Sequence, residues 1–267
     1  MPSNEEFLQK ILQSRKYRAL QLPPETIRDL IEQESLRYSD AKLMQESVRQ
    51  KLHQLTALYL GDPDYEKALE ELNDIHDQSG LEDFAGRMLS THTSTRERLP
   101  YISDFYQQLF QATGTPHSIL DLACGLNPFA LTWMGLDHDT TYLAYDIHLP
   151  RVTLLNAFFE KSGYPNAHAE QCDILVNPPT QKADAVFFFK EAHRMDQRRK
   201  GSNRILWDAL QVNSLLVSLP TRDIGKTHDL RERMRSLVME NIQGRNWQVE
   251  EISFEDEIVF CIRKGEG

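Results

Sequence analysis

From about residue 117 the chain alternates short apolar runs with amphipathic stretches, and this alternation limits the possible folds more than any other feature. SILDLA, TTYLAYDI, NAHAEQCD, ADAVFFFK and VNSLLVSLP read as strands. A short helix after the first strand, then helices over 150–163, near 203–211 and near 226–243, supply the crossovers. Strands joined in this way form a parallel, doubly wound sheet with helices on both faces. WQVEEISFEDEIVFCIRK closes the chain as two strands around an acidic turn, which adds an antiparallel edge and brings the strands to seven. The first 90 or so residues contain no convincing strand. Their apolar positions recur at helical spacing in FLQKILQSRKYRAL, in ETIRDLIEQESLRY (Ile27, Leu30, Ile31, Leu36) and in AKLMQESVRQKLHQLTALYL (Leu43, Val48, Leu52, Leu55, Leu58). The chain therefore divides into a helical region, 1–95, and an α/β region, 96–267.

Composition removes several function classes. No apolar run approaches the roughly 18 residues of a membrane span, and the polar N-terminus MPSNEEFLQKILQSRKYR is no secretory signal. Cys124, Cys172 and Cys261 are widely separated, with no CxxC pair and no histidine cluster. Neither a metal site nor a disulfide framework is expected, and the cytoplasm is the expected compartment. The net charge of −10 argues against a polyanionic partner until its distribution is examined. Residues 61–83 carry nine acids and one lysine, whereas 190–235 carry eleven Lys/Arg against six acids. Residues 1–60 are near balance, with nine Lys/Arg and eight Asp/Glu. Nucleic-acid binding depends on local phosphate neutralisation, so such patches matter more than the total.

In a doubly wound sheet the ligand sits at the carboxyl ends of the strands. There the segment LDLACGLNPFAL breaks at Cys124-Gly125, a turn whose glycine lets a ligand approach the backbone. Asp121, Asp146 and Asp173 follow successive strands. An acid closing the second strand, about 20 residues past the glycine turn, is placed for ribose hydroxyls, and one at the next strand end for the adenine amine. A dinucleotide fingerprint requires GxGxxG to admit a pyrophosphate, and CGLNP lacks it. S-adenosylmethionine has no phosphate and fits better. Its amino-acid tail needs a cation, which THTSTRERL offers in Arg96 and Arg98 beside His92, Ser94 and Thr95. The NPPT at 177–180 is read as a plain loop, because ADAVFFFK follows it and no ring is available to stack on a base.

SRKYRAL, VRQKLHQL, HTSTRERL, LDLACGLNPFAL, YDIH, FFK and SLPTR occur in one order over nearly the whole chain. In this the sequence resembles the aminoglycoside-resistance 16S rRNA (guanine-1405 N7)-methyltransferases. The resemblance implies a class I, Rossmann-like S-adenosylmethionine-dependent methyltransferase acting on the 30S subunit, and a monomer is expected. It implies that Arg98 holds the cofactor carboxylate near His92 and Ser94, and that Ala123 and Gly125 line the methionine end. Asp146 and Ile147 would hold the ribose side, and Cys172 and Asp173 the adenine. Lys190 and Arg222 correspond to residues beside the target base, while Arg15, Lys16, Arg18, Arg49 and Lys51 are expected to meet rRNA phosphates from the helical region. Two segments depart from the family pattern: KEAHRMDQRRKGS replaces apolar residues and a proline after FK, and DIGKTHDLRERM replaces a glycine-rich stretch after PTR. On the residues alone, a same-fold enzyme acting on another RNA or a small molecule, or a non-catalytic RNA-binding relative, remains an alternative.

Overall fold

The structure is a computed structural model that describes residues 3–56, 62–223, 225 and 227–265. The sheet is built from β1 (Ser118–Leu122), β2 (Thr141–Asp146), β3 (Ala167–Gln171), β4 (Lys182–Phe189), β5 (Gln211–Pro220), β6 (Gln248–Ser253) and β7 (Glu257–Arg263). Their spatial order is β3-β2-β1-β4-β5-β7-β6. The first five strands are parallel, and β7 runs antiparallel to both β5 and β6. β1, β4, β5 and β7 are buried on both faces, as continuous apolar runs such as AVFFF and SLLVSL require. The chain winds outward from β1 to β3 and then returns to β4 on the other side of β1. The carboxyl ends of β1 and β4 therefore flank the switch-point crevice.

Helices cover both faces. On one lie α5 (Tyr65–Asn73), α6 (Gln78–Thr91), the single turn α7 (Thr93–Arg96), α8 (Ile102–Thr113) and α9 (Leu149–Ser162). On the other lie α10 (Ala192–Arg198), α11 (Ser202–Ala209) and α12 (Arg231–Ile242). A third, separate core belongs to α1 (Asn4–Gln13), α2 (Arg15–Leu20), α3 (Pro24–Arg37) and α4 (Ala41–Thr56), and it takes in Ile147 from the loop after β2. The helices of 1–95 thus divide between two cores, because Leu72, Phe84 and Leu89 of α5 and α6 bury against the sheet layer. Among the described residues no helix is long and apolar enough to cross a membrane.

Three local features differ from the sequence reading. FLQKILQSRKYRAL is two helices, because Ser14 turns extended (ψ 140°) and its hydroxyl donates to the Ile11 carbonyl at 2.8 Å. The short helix after β1 is a 3-10 turn over Asn127–Trp133, with Pro128 in its first turn. α10 was not foreseen; it is only seven residues long and buries just Ala192 and Met195.

Candidate active site

At the carboxyl ends of β1 to β4 lies a cleft of about 250 Å³. Its walls include Ala123, Asp146, Ile147, Cys172 and Asp173, five of the nine residues that the resemblance assigns to the cofactor. Leu30, Lys51 and Leu55 of the N-terminal helices close one side, and Glu191, Arg194 and Arg198 close another.

The two strand-end carboxylates are held in similar ways. Asp146 accepts from the Gly125 amide (3.0 Å), the His148 amide (2.9 Å) and Arg151 Nη1 (2.7 Å). Asp173 accepts from Arg198 Nη1 (3.0 Å) and Nη2 (2.6 Å) and from the Leu175 amide (3.1 Å). A carboxylate has about four acceptor positions, so each keeps one, on Asp146 Oδ1 and Asp173 Oδ2. Further charges fix both acids. Arg151 also reaches Asp62 at 2.6 Å, and Arg198 also reaches Asp29 of α3 at 3.2 Å, which ties the N-terminal helices to the Asp173 side of the cleft.

The turn after β1 has Ala123 and Gly125 in the left-handed region, at φ 49° and 55°. For a residue with a Cβ this costs about 1–2 kcal/mol, a strain of the kind that gathers at binding sites. Space does not explain the glycine, since an added Cβ would meet nothing closer than Arg151 Nη1 at 4.0 Å. Conformation does. Gly125→Ala is expected to cost about 1 kcal/mol of stability and to loosen the amide that pins Asp146. Urea unfolding measures the first effect, and nucleoside binding by calorimetry the second.

Behind this turn runs a buried polar chain. Arg98 is 3% exposed and packs against the rings of both Phe105 and Phe189, 4.6 Å from each centroid. Its Nε and Nη2 donate to Glu257 (2.9 and 2.6 Å), and its Nη1 donates to Asn127 Oδ1 (2.9 Å). Asn127 passes the chain on to Asp121 (2.9 Å), which also accepts from the Tyr142 hydroxyl (2.6 Å). Arg98 therefore braces the turn through Asn127 and does not line the cleft. Its partner, 159 residues away, gave no signal in the sequence. Lys190, also left-handed (φ 56°), is buried between Glu97 (2.7 Å) and Glu257 (3.4 Å). His92 and Ser94 bond each other at 2.7 Å at the start of α7, and neither is among the residues that line the cleft. Arg222 is exposed on the loop after β5, in a bridge to Asp229.

Burial pushes the Asp121 carboxyl up to about 7, against the hydrogen bonds from Tyr142 and Asn127. A carboxyl that binds its proton more tightly when folded favours folding at low pH, and that contribution fades as pH rises through 7. Asp121→Asn removes the titration. Between pH 5 and 8 the stability difference should move in favour of the variant by on the order of 2 kcal/mol, read by urea unfolding at each pH.

Of the residues expected to meet RNA, Arg15, Lys16 and Arg18 are exposed on α2 and Arg49 on α4. Lys16 Nζ lies 2.9 Å from His53 Nδ1, which places these two helices side by side. Lys51 differs: it turns inward to the fully buried Glu34 at 2.6 Å and lines the cleft. Glu191, Arg194 and Arg198 were not singled out by sequence reading, although they lie in the basic segment it noted. Among the described residues no group of three or more His, Cys, Asp or Glu side chains is arranged to hold a metal ion.

The profile of the ribosomal RNA methyltransferase (FmrO) family matches residues 13–261. The chain belongs to this family. It is 30% identical to the 16S rRNA (guanine(1405)-N(7))-methyltransferase of Frankia casuarinae, covering 95% of this chain and 91% of that one. Among solved structures it resembles the 16S rRNA methylase RmtB, with TM-score 0.81, 26% identity and coverage of 99% and 100%. It also resembles the 16S rRNA methyltransferase RmtF in complex with S-adenosyl-L-homocysteine, with TM-score 0.81, 29% identity and the same coverage. The α1–α4 core and the β7–β6 edge thus belong to the family's architecture along with the central sheet.

Proposed function

We propose that this chain transfers the methyl group of S-adenosylmethionine to N7 of guanine 1405 in the 16S rRNA of the 30S subunit. The observation that carries the reading is the end-to-end match to a relative named for that reaction, joined to a cleft whose polar groups suit a sulfonium nucleoside. The single open positions on Asp146 and Asp173 accept from a ribose hydroxyl and the adenine amine. Ile147 and Cys172 flank the purine, and Ala123 and Gly125 turn the backbone toward the methionine end. Arg98 acts on the tail through the turn it braces, and His92 and Ser94 are the further polar groups proposed for the methionine end.

The cofactor supplies an electrophilic methyl on sulfur. Guanine N7 donates its lone pair, the S–CH3 bond breaks as N7–CH3 forms, and no proton has to leave. The chain needs no general base for this step and contributes position and electrostatics. A guanine inside a helix is stacked, so the base is flipped out at a cost of a few kcal/mol. Lys190, held at the end of β4, and Arg222, exposed beyond β5, are the basic groups proposed for the base and its surroundings.

The 1–95 helices dock on the subunit, with Arg15, Lys16, Arg18 and Arg49 on phosphates, while Lys51 shapes the cleft. Such contacts make binding strongly salt-dependent. The protein works as a monomer in the cytoplasm, where its substrate is. Methylation leaves a positive charge where aminoglycosides donate hydrogen bonds. Expression in a susceptible bacterium is therefore expected to raise tolerance to kanamycin and gentamicin, and unchanged tolerance with the protein present contradicts this reading.

A further inference from the structure

Of the three carboxylates on the cleft wall, Asp146 and Asp173 are each held by three protein donors. Glu191 is not. It directly follows Lys190 at the end of β4, lies beside Ala123 and Asp146, and its side chain is 17% exposed. Its carboxylate receives no hydrogen bond from the described residues, and the nearest cation is Arg194 Nη1 at 3.5 Å. A largely desolvated acceptor without a donor is costly. A bound partner that brings donors would remove the cost.

We infer that Glu191 selects guanine, its carboxylate accepting from the N1–H and N2–H2 groups of the flipped base. This rests on the function proposed above. Guanine is the base whose Watson–Crick edge offers two adjacent donors to a carboxylate. Adenine places a lone pair at N1, which the carboxylate repels. The same contact serves the reaction: methylation at N7 makes the base cationic, so an anion at the opposite edge is worth more in the transition state than in the ground state. Arg194, next to Glu191 and lining the same cleft, suits the O6 side of the base, as arginine reads guanine elsewhere.

The surroundings of Glu191 make its ionisation matter. Burial pushes its carboxyl up to about 7, against the pull of Arg194 and Arg198 on α10 and Arg151 on α9, while Asp146 at the end of β2 adds to the rise. Lys51 of α4 faces the same cleft. If the ionised form reads the base, activity falls as pH drops below 7.

The test uses the full chain and the Glu191→Gln variant. Methyl transfer from labelled S-adenosylmethionine to 30S subunits is followed from pH 5.5 to 8.5, with S-adenosylhomocysteine binding measured by calorimetry. At pH 8 the variant is expected to lose about 10–100-fold in kcat, with the dissociation constant for S-adenosylhomocysteine within about twofold of the wild type. The wild-type rate should rise with pH through 7 and the variant's should not. A loss of S-adenosylhomocysteine affinity matching the loss of rate would place Glu191 on the cofactor ammonium and overturn the inference. So would an unchanged kcat. Should the variant melt, the wild-type profile decides alone, a flat one counting against the inference. A wild type that binds S-adenosylhomocysteine yet methylates no 30S rRNA ends the proposed function, and this inference with it.

Discussion

Replacing Glu257 by alanine is expected to destabilise the protein by about 3–5 kcal/mol, the largest effect on stability of any single change to the buried polar chain. Glu257 is 0% exposed and is the shared partner of Arg98 and Lys190. Burial alone would push its carboxyl up, but the two cations hold it below the usual carboxylate range. Without it Arg98 keeps Asn127 and Ser218 but no counter-charge, deep in the protein. Among the described residues Lys190 keeps Glu97 as its one acidic partner. At roughly 2–4 °C per kcal/mol for a chain of this size, the melting temperature should fall by about 10 °C. The combined Arg98→Met and Glu257→Leu variant should recover much of the loss, since the deepest cation goes with its partner. Thermal and urea unfolding of the three proteins measure this. A loss below about 1 kcal/mol in Glu257→Ala would show that the cluster is not the buried ion network described.

The second large effect concerns affinity. Asp146→Ala is expected to weaken S-adenosylhomocysteine binding by about 100-fold or more, because hydrogen bonds to a charged group are worth roughly 1.5–3 kcal/mol each. The loss has two parts. The acceptor offered by Oδ1 disappears, and the Gly125 and His148 amides lose the group that fixes them. Asp146→Asn keeps an acceptor oxygen and should lose nearer tenfold. Arg151 remains anchored by Asp62 and Tyr65, so both variants should stay folded, with only a small fall in melting temperature. Calorimetric titration distinguishes the cases. Affinities within threefold of wild type would mean that the ligand does not use this carboxylate.

Much of this architecture was legible in the sequence because it rests on local signals. AVFFF and SLLVSL are long apolar runs that only doubly covered strands can bury, and β4 and β5 contain them. Asp146 and Asp173 could be picked out as cleft residues because acids that end successive strands of a doubly wound sheet fall along its carboxyl edge, where the crevice lies. The missing parts depend on distance or on weak pattern. Arg98 reads as a free cation until the fold brings Glu257 to it. Lys51 reads as one more phosphate contact until Glu34, buried under α4, claims it. In KEAHRMDQRRKG the charges hide α10, a helix of only seven residues that, with Glu191 at its N-cap, lines the cleft through Arg194, Met195 and Arg198. Helical spacing likewise marked the N-terminal segments as helices without revealing that α5 and α6 would join the sheet layer and leave α1–α4 with a core of their own.

The central claim is methyl transfer to one guanine nitrogen on the ribosome. The most direct measurement incubates purified 30S subunits with the protein and S-adenosylmethionine, then maps N7-methylguanine along the 16S rRNA by reduction, chain cleavage and primer extension. A single new stop reporting guanine 1405, absent without the cofactor, is the predicted result. Methyl incorporated only at another nucleotide, only into tRNA, or not at all by a protein that binds S-adenosylhomocysteine would contradict it.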